Sequence, residues 1–278
     1  MKTLNAPLWC ASGIVTLMVS SSACASVVTG DVLETFDDAV TDVTFGFVDE
    51  DTISSGTSPT KGVAPGWTIV DGQAVFYNNT NFFDSGVAVV SYSPAPSGID
   101  FSVSSDFDVF QEDSFSSFFN YTQGNTGVVA YADASIITSE AVGDTGIYAY
   151  VDEFNTSGSG YQFVVANDGA VIATSSSFDL TDGSPDFTID LAGSFDGSGN
   201  LQITASLTDI NGANNQTLTP LIAAVDVPAG DQFGVRVSPG FNGYEVGVDN
   251  LSVVVPEPGS LTLGALGGLA LLARRRGA

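Results

Sequence analysis

Leu201-Gln202-Ile203-Thr204-Ala205-Ser206-Leu207-Thr208 sets an apolar side chain at every second position and a polar one between. Period two belongs to a strand with one buried face, because successive side chains point to opposite sides of a sheet. Phe187, Ile189 and Leu191 alternate with Asp186, Thr188 and Asp190 in the same way. Phe233, Val235 and Val237 alternate around Arg236, and Ile147, Ala149 and Val151 against Tyr148 and Tyr150. Between these runs lie turn clusters: Asp182-Gly183-Ser184-Pro185, Asp196-Gly197-Ser198-Gly199-Asn200 and Asn211-Gly212. Gly and Pro there set turn dihedrals, while Asp, Asn and Ser close local side-chain hydrogen bonds. No stretch carries a helical stripe with a cap at each end. Many short strands at roughly ten-residue spacing predict an all-β sandwich or barrel.

Further upstream, Trp67-Thr68-Ile69-Val70 and Ala74-Val75-Phe76-Tyr77 flank Asp71-Gly72, the pattern of a hairpin. Val87 to Tyr92 is a nearly continuous apolar strand. Asp49 to Gly62, rich in Ser, Thr, Gly and Asp, reads as a long surface loop. No linker divides residues 26–254 and no repeat of fixed period runs through them, so they are expected to form one domain.

Both ends read differently. Lys2, the apolar stretch Leu8 to Val19, and Ala23-Cys24-Ala25 before Ser26 compose a signal peptide over residues 1–25, with Ala23 and Ala25 as the small residues of the cleavage site. A lipoprotein signal would want leucine three residues before Cys24, where Ser21 stands. Cleavage after Ala25 removes both cysteines, Cys10 and Cys24, and leaves no disulfide, thiol nucleophile or Cys-ligated metal. At the other end, Val255-Pro256-Glu257-Pro258 is followed by an apolar run, Leu261 to Ala273, and then Arg274, Arg275 and Arg276. The prolines end the preceding strand. The run has 13 residues, short of the roughly 20 that a permanent span needs. The arginines hold their end on the cytoplasmic side.

This order of motif, short transmembrane helix and basic end resembles the PEP-CTERM sorting signal of Gram-negative bacteria, over residues 255–278. The resemblance implies transient insertion in the inner membrane, recognition by an exosortase-type processing protease, and delivery to the cell surface or extracellular matrix.

Charge is lopsided. Lys2 lies in the signal and three arginines in the tail, which leaves Lys61 and Arg236 as the bases of the body. Only Glu257 of the 32 acidic residues lies outside it, so 31 acids face two bases, a net charge of −29. Such a body repels nucleic acid and anionic lipid. Neutral polysaccharide, cations and water remain as partners, and solvation in saline surroundings accounts for most of the carboxylates.

A second resemblance lies in the later half, about residues 100–254. Tyr161 to Thr174, Phe187-Thr188-Ile189-Asp190-Leu191, Gly199-Asn200-Leu201, Leu207-Thr208-Asp209, Gly230 to Arg236 and Val248-Asp249-Asn250-Leu251-Ser252-Val253 are similar to a concanavalin A-like (laminin G-like) jelly roll. That superfamily includes glycan binders, glycosidases and scaffolds, so fold alone does not fix activity.

Absence narrows the chemistry. The chain has no histidine, which removes Ser-His-Asp and Cys-His catalysis and His-ligated zinc. A carboxylate pair of the glycosidase kind remains. Glycosidases of this fold commonly carry Glu-x-Asp-x-x-Glu on one strand, and this chain lacks it. Asp106-Phe107-Asp108 with Glu112-Asp113, and Asp152-Glu153, differ in spacing or neighbours. The reading is therefore non-catalytic.

No cofactor is required, and a structural calcium ion is the one that the composition would admit. Tyr244, Val246 and Val248 share a face and the apolar phase then jumps to Leu251 and Val253, which predicts a β-bulge at Asp249-Asn250. Asp249 is thus the candidate metal ligand, with Glu34, Asp37 or Asp38 beside it if the first and last strands pair. The simpler reading, a bulge that only closes the sandwich, is favoured. For glycan contact, Tyr148 and Tyr150 are the candidate stacking pair, expected on the solvent side of their strand, although a buried tyrosine face with the smaller side chains outward fits the string equally well. The whole reads as an exported, non-catalytic surface or matrix protein associated with exopolysaccharide or biofilm; a glycan-binding module and a carboxylate glycosidase are the alternatives.

Overall fold

A computed structural model describes residues 27–28, 31–36, 40–48, 56–60, 67–70, 72–77, 85–92, 95–111, 126–133, 136, 145–153, 161–178, 186–210, 214–237 and 244–256. In chain order the strands are β1 (Val27–Val28), β2 (Val32–Glu34), β3 (Val40–Val48), β4 (Gly56–Thr60), β5 (Trp67–Val70), β6 (Gln73–Tyr77), β7 (Ser85–Tyr92), β8 (Phe101–Gln111) and β9 (Thr126–Ala132). They continue as β10 (Ile147–Glu153), β11 (Tyr161–Asn167), β12 (Ala170–Thr174), β13 (Asp186–Phe195), β14 (Leu201–Asp209), β15 (Gln216–Leu218), β16 (Leu221–Ile222), β17 (Gln232–Val237) and β18 (Tyr244–Val254). A 3₁₀ turn, Ala224–Asp226, is the one helical element among elements with described bounds. Among the described residues no helix is long and apolar enough to cross a membrane. The expected signal helix and tail helix both lie outside the described residues.

The strands form two sheets. The first runs β12-β11-β10-β9-β17-β7-β3-β4, with β1 added parallel to the end of β7. The second runs β15-β14-β13-β8-β18-β6-β5, with β16 on β14 and β2 on β18. Apart from β1, the pairing is antiparallel throughout. Non-consecutive neighbours such as β8 with β18 and β7 with β17 are the crossovers of a jelly roll rather than of a simple meander.

The alternating runs behave as their period dictates. Leu201, Ile203, Ala205 and Leu207 of β14 are buried against Phe187, Ile189 and Leu191 of β13, while Gln202, Thr204 and Thr208 face water. Phe107 stacks on Phe187 across the strand pair, with centroids 5.4 Å apart. Between the sheets, Phe101, Tyr131 and Phe233 pack edge-on or tilted at 5.0 to 5.9 Å. Tyr131 has φ 55° and forms a bulge, so Ala130 and Tyr131 both turn inward opposite Phe233. The expected hairpin is β5–β6, paired from Trp67 with Phe76 to Val70 with Gln73, with Gly72 at φ 86°.

Three expectations are corrected. Part of the expected loop 49–62 is strand: Gly56–Thr60 pairs with β3 at the rim of the first sheet. Pro59 is tolerated there because an edge strand has one side free of ladder bonds. Tyr148 and Tyr150 were expected in solvent, yet they are 1% and 7% exposed. The reason is that the first sheet is covered on both faces. Val87, Val89, Val129, Ala132, Ile136, Val164 and Ala166 join the two tyrosines in a second apolar cluster on the side away from the sandwich core. Arg236, expected on a polar face, is 1% exposed on that same side.

Candidate functional site

The bulge read from the apolar phase of the last strand is present. Register along β18 jumps between Asp249 and Ser252, and Asn250 has φ 50°. Asparagine tolerates the left-handed region because its short side chain bonds locally. Here the Asn250 amide N–H donates to Asp249 Oδ1 at 2.7 Å, and Nδ2 reaches Asp249 Oδ2 at 3.3 Å and Asp106 Oδ2 at 2.9 Å. Ser105, fully buried, donates its hydroxyl to the Asp249 carbonyl at 2.9 Å. The Thr188 hydroxyl donates to Asp106 Oδ1 at 2.6 Å. Asp106 thus accepts from β13 on one side and from the bulge on the other, and the three strands are tied across their outer face.

Where β14, β13 and β8 lie side by side, this outer face of the second sheet is largely polar. One rung further along β14, Ser206 donates to Asp190 Oδ2 at 3.2 Å. In the other direction Asp108 lies directly opposite Asp186. Partial burial pushes the Asp108 carboxyl up to about 7, aided by the hydrogen bond it shares with Asp186 and by that neighbour's charge. Asp106, Asp108, Asp186, Asp190 and Asp249 therefore line one face.

The last strand pairs with β2, the strand that carries Glu34: Val32 lies opposite Val253 and Glu34 opposite Leu251. Glu34, however, faces the core side with Val32, where its Oε1 accepts the Phe36 amide at 2.7 Å. Asp249 faces the other way, beside Asp106. The sheet stands between these two carboxylates, so the structure does not bring them together. Asp37 and Asp38 lie outside the described residues. Among the described residues no group of three His, Cys, Asp or Glu side chains is placed to hold a metal ion.

On the other sheet, Tyr148 and Tyr150 stand side by side along β10, opposite Val129 and Gly127 of β9 and Ala166 and Val164 of β11. Gly127 leaves room for the strand beyond, since a methyl group there would run into the Ala149 carbonyl and Tyr150. Burial pushes the Tyr150 hydroxyl up to about 12, with the Asp152 charge adding to it. Burial also raises Asp152 above the usual carboxylate range. Sequence reasoning missed this second buried face and the Asp108–Asp186 pair.

Of the sorting residues, Val255 and Pro256 are described. Val255 is 3% exposed and belongs to the core, and Pro256 is exposed. Glu257, Pro258 and Arg274 to Arg276 lie outside the described residues, as do Ala23 and Ala25.

The comparisons fit both halves of this picture. The family model of the PEP-CTERM protein-sorting motif matches residues 254–276. No curated protein matches the chain. Among solved structures the chain is similar to a lectin from Bauhinia forficata in complex with GalNAc, with TM-score 0.53 and 13% identity over 83% of this chain and 99% of that one. It is similar also to a Lotus tetragonolobus seed lectin, at 0.53 and 14% over 83% and 100%. Peanut lectin gives 0.51 and 11% over 82% and 98%. At such identities the likeness is one of fold. The chain thus carries a PEP-CTERM sorting motif at its C-terminal end, behind a body with the concanavalin A-like jelly-roll fold.

Proposed function

We propose that the protein is an exported, non-catalytic surface or matrix component whose sandwich engages neutral polysaccharide, in the setting of an exopolysaccharide or biofilm. One observation carries this reading: a lectin-type jelly roll runs directly into a sorting motif. The motif supports export and processing by an exosortase-type protease. The Bauhinia lectin of like fold is complexed with the neutral sugar GalNAc. Exposed Gln202, Thr204, Thr208 and Asn250 line the polar face of the second sheet and offer donors and acceptors to sugar hydroxyls. A body of net charge −29 gains nothing from an acidic polymer unless divalent cations bridge the two. Co-sedimentation with an insoluble neutral glucan, with alginate as the control, tests the reading. Cation-free binding to alginate at low salt, with none to glucans, would sink it.

A second reading has one observation in its favour. Asp106 and Asp108 share a face of β8, and Asp108 holds its proton near neutrality, as the acid of a carboxylate glycosidase must. Release of reducing sugar that disappears in Asp108→Asn would establish it in place of the first.

A further inference from the structure

The last strand of the body and the sorting motif share residues. β18 keeps its ladder as far as Val254, which pairs with Ser102, and Val255 is a core side chain. The motif match begins at residue 254. No spacer therefore separates the folded domain from the tail. Five residues lead from exposed Pro256 to Leu261, where the apolar run starts, and fully extended they span at most about 17 Å. Resting on the sorting-tail reading, we infer that the sandwich stands on one defined end while the tail is inserted, with the C-terminal end of β18 apposed to the lipid headgroups and the opposite end pointing away.

Register names the residues at that end. Val254 lies beside Ser102, Ser102 beside Ala192 and Ala192 beside Thr204, so Asp100, the Asp196 turn and Leu221 to Asp226 gather there. Asp31 precedes Val32, the partner of Val253. The first sheet joins through two bonds: Asn167 Nδ2 donates to the Asp226 carbonyl at 2.9 Å, and the Tyr131 hydroxyl to the Ile99 carbonyl at 2.9 Å. Ile210 and Asp186 are at the other end, one length of β13 away, which at ten residues is about 33 Å.

Charge sets the character of the apposed end. Asp31, Asp100, Asp168, Asp196, Asp226 and Asp231 are gathered there, with no Lys or Arg of the described residues among them. A reach of about 17 Å is only two Debye lengths at physiological salt, so an anionic leaflet repels this end while the tail holds it close. The apposition is tethered rather than adhesive, and cutting the tail frees the domain.

The full chain, expressed in a host without the processing protease, tests this with Cys10→Ser and Cys24→Ser as background. Leu221→Cys and Ile210→Cys are then made one at a time; the parent side chains are 60% and 58% exposed and equally replaceable. Vesicles of phosphatidylethanolamine with a maleimide headgroup, fused with the membrane fraction, are the probe. Leu221→Cys should react at least tenfold faster than Ile210→Cys. Detergent extraction should bring the rates, read with a soluble maleimide, within twofold. A 40-residue Gly-Ser insertion after Pro256, with a root-mean-square reach of roughly 35 Å, should also erase the bias. Equal rates in the membrane-bound chain, or a faster Ile210→Cys, would overturn the inference and leave the sorting reading intact. A chain that never sediments with membranes would overturn both.

Discussion

Replacing Asp186 with Asn should make the protein more stable at pH 8 and hardly change it at pH 4. The perturbation removes one member of the carboxyl pair formed where β8 and β13 lie side by side. In the folded state Asp108 holds its proton up to about 7, first because burial disfavours its charge and then because Asp186 bonds and repels it. An unfolded aspartate ionises near 3.9. Between those values the folded state binds a proton that the unfolded state has lost, so stability falls as pH rises through the window and the penalty is complete above about 7. Unscreened, the whole shift would correspond to roughly 4 kcal/mol, but its largest cause, burial, persists in the variant and the pair is only partly buried, so about 1 kcal/mol is what Asp186→Asn relieves. For a body of this length that is roughly 2–4 °C in Tm. Asp106 and Asp249, in the next rung of the same face, remain in both proteins. General repulsion among the carboxylates also grows with pH, but it is common to variant and parent. The informative quantity is therefore the difference between the two thermal melts, followed by circular dichroism from pH 4 to 8 at low salt. Parallel pH curves, or an Asp186→Asn protein less stable at pH 8, would refute the argument.

At the bulge, Asn250→Ala should cost about 2 kcal/mol in urea unfolding and Asn250→Gly about half that, since glycine keeps the left-handed backbone and loses only the amide bonds. Gly234→Ala should prevent folding, because the added methyl overlaps the Ala88 carbonyl oxygen in the middle of the first sheet; soluble yield and far-ultraviolet dichroism report it. Chelation with EDTA should leave the melting temperature within about a degree, because Asp106 and Asp249 already accept protein donors; a clear fall would reinstate a structural ion. Replacing Glu257 and Pro258 with alanine should trap an unprocessed membrane form, seen as a heavier band in the membrane fraction, whereas normal release would remove the basis of the sorting reading.

In the second sheet β13 and β14 were readable residue by residue, because one of their faces meets the core and the other meets water. Alternation in β13 and β14 therefore survives in the sequence as a clean period of two. The first sheet hides its second face. Val128-Val129-Ala130-Tyr131-Ala132 and Phe163-Val164-Val165-Ala166 are unbroken apolar runs, and Val87 to Tyr92 already carried that signal. An unbroken run means two buried faces. Read so, it would have placed Tyr148 and Tyr150 inside, because their strand lies between two such strands. The bulge was legible because a change of apolar phase has few other causes. The Asp108–Asp186 pair was not, since only the strand order β13-β8-β18 makes neighbours of residues so distant in the chain.

The position of the last two strands governs when the molecule can fold. β17 fills the gap between β9 and β7 in the middle of one sheet, and β18 fills the gap between β8 and β6 in the middle of the other. A chain threaded through a translocon N-terminus first delivers these strands at the very end. Until they arrive, each half-built layer exposes two unsatisfied edges and neither layer can settle on the other. Under the proposed export the polypeptide would thus stay loose enough to be threaded for almost its whole length, and completion of the fold and presentation of the tail would fall at the same moment of biogenesis.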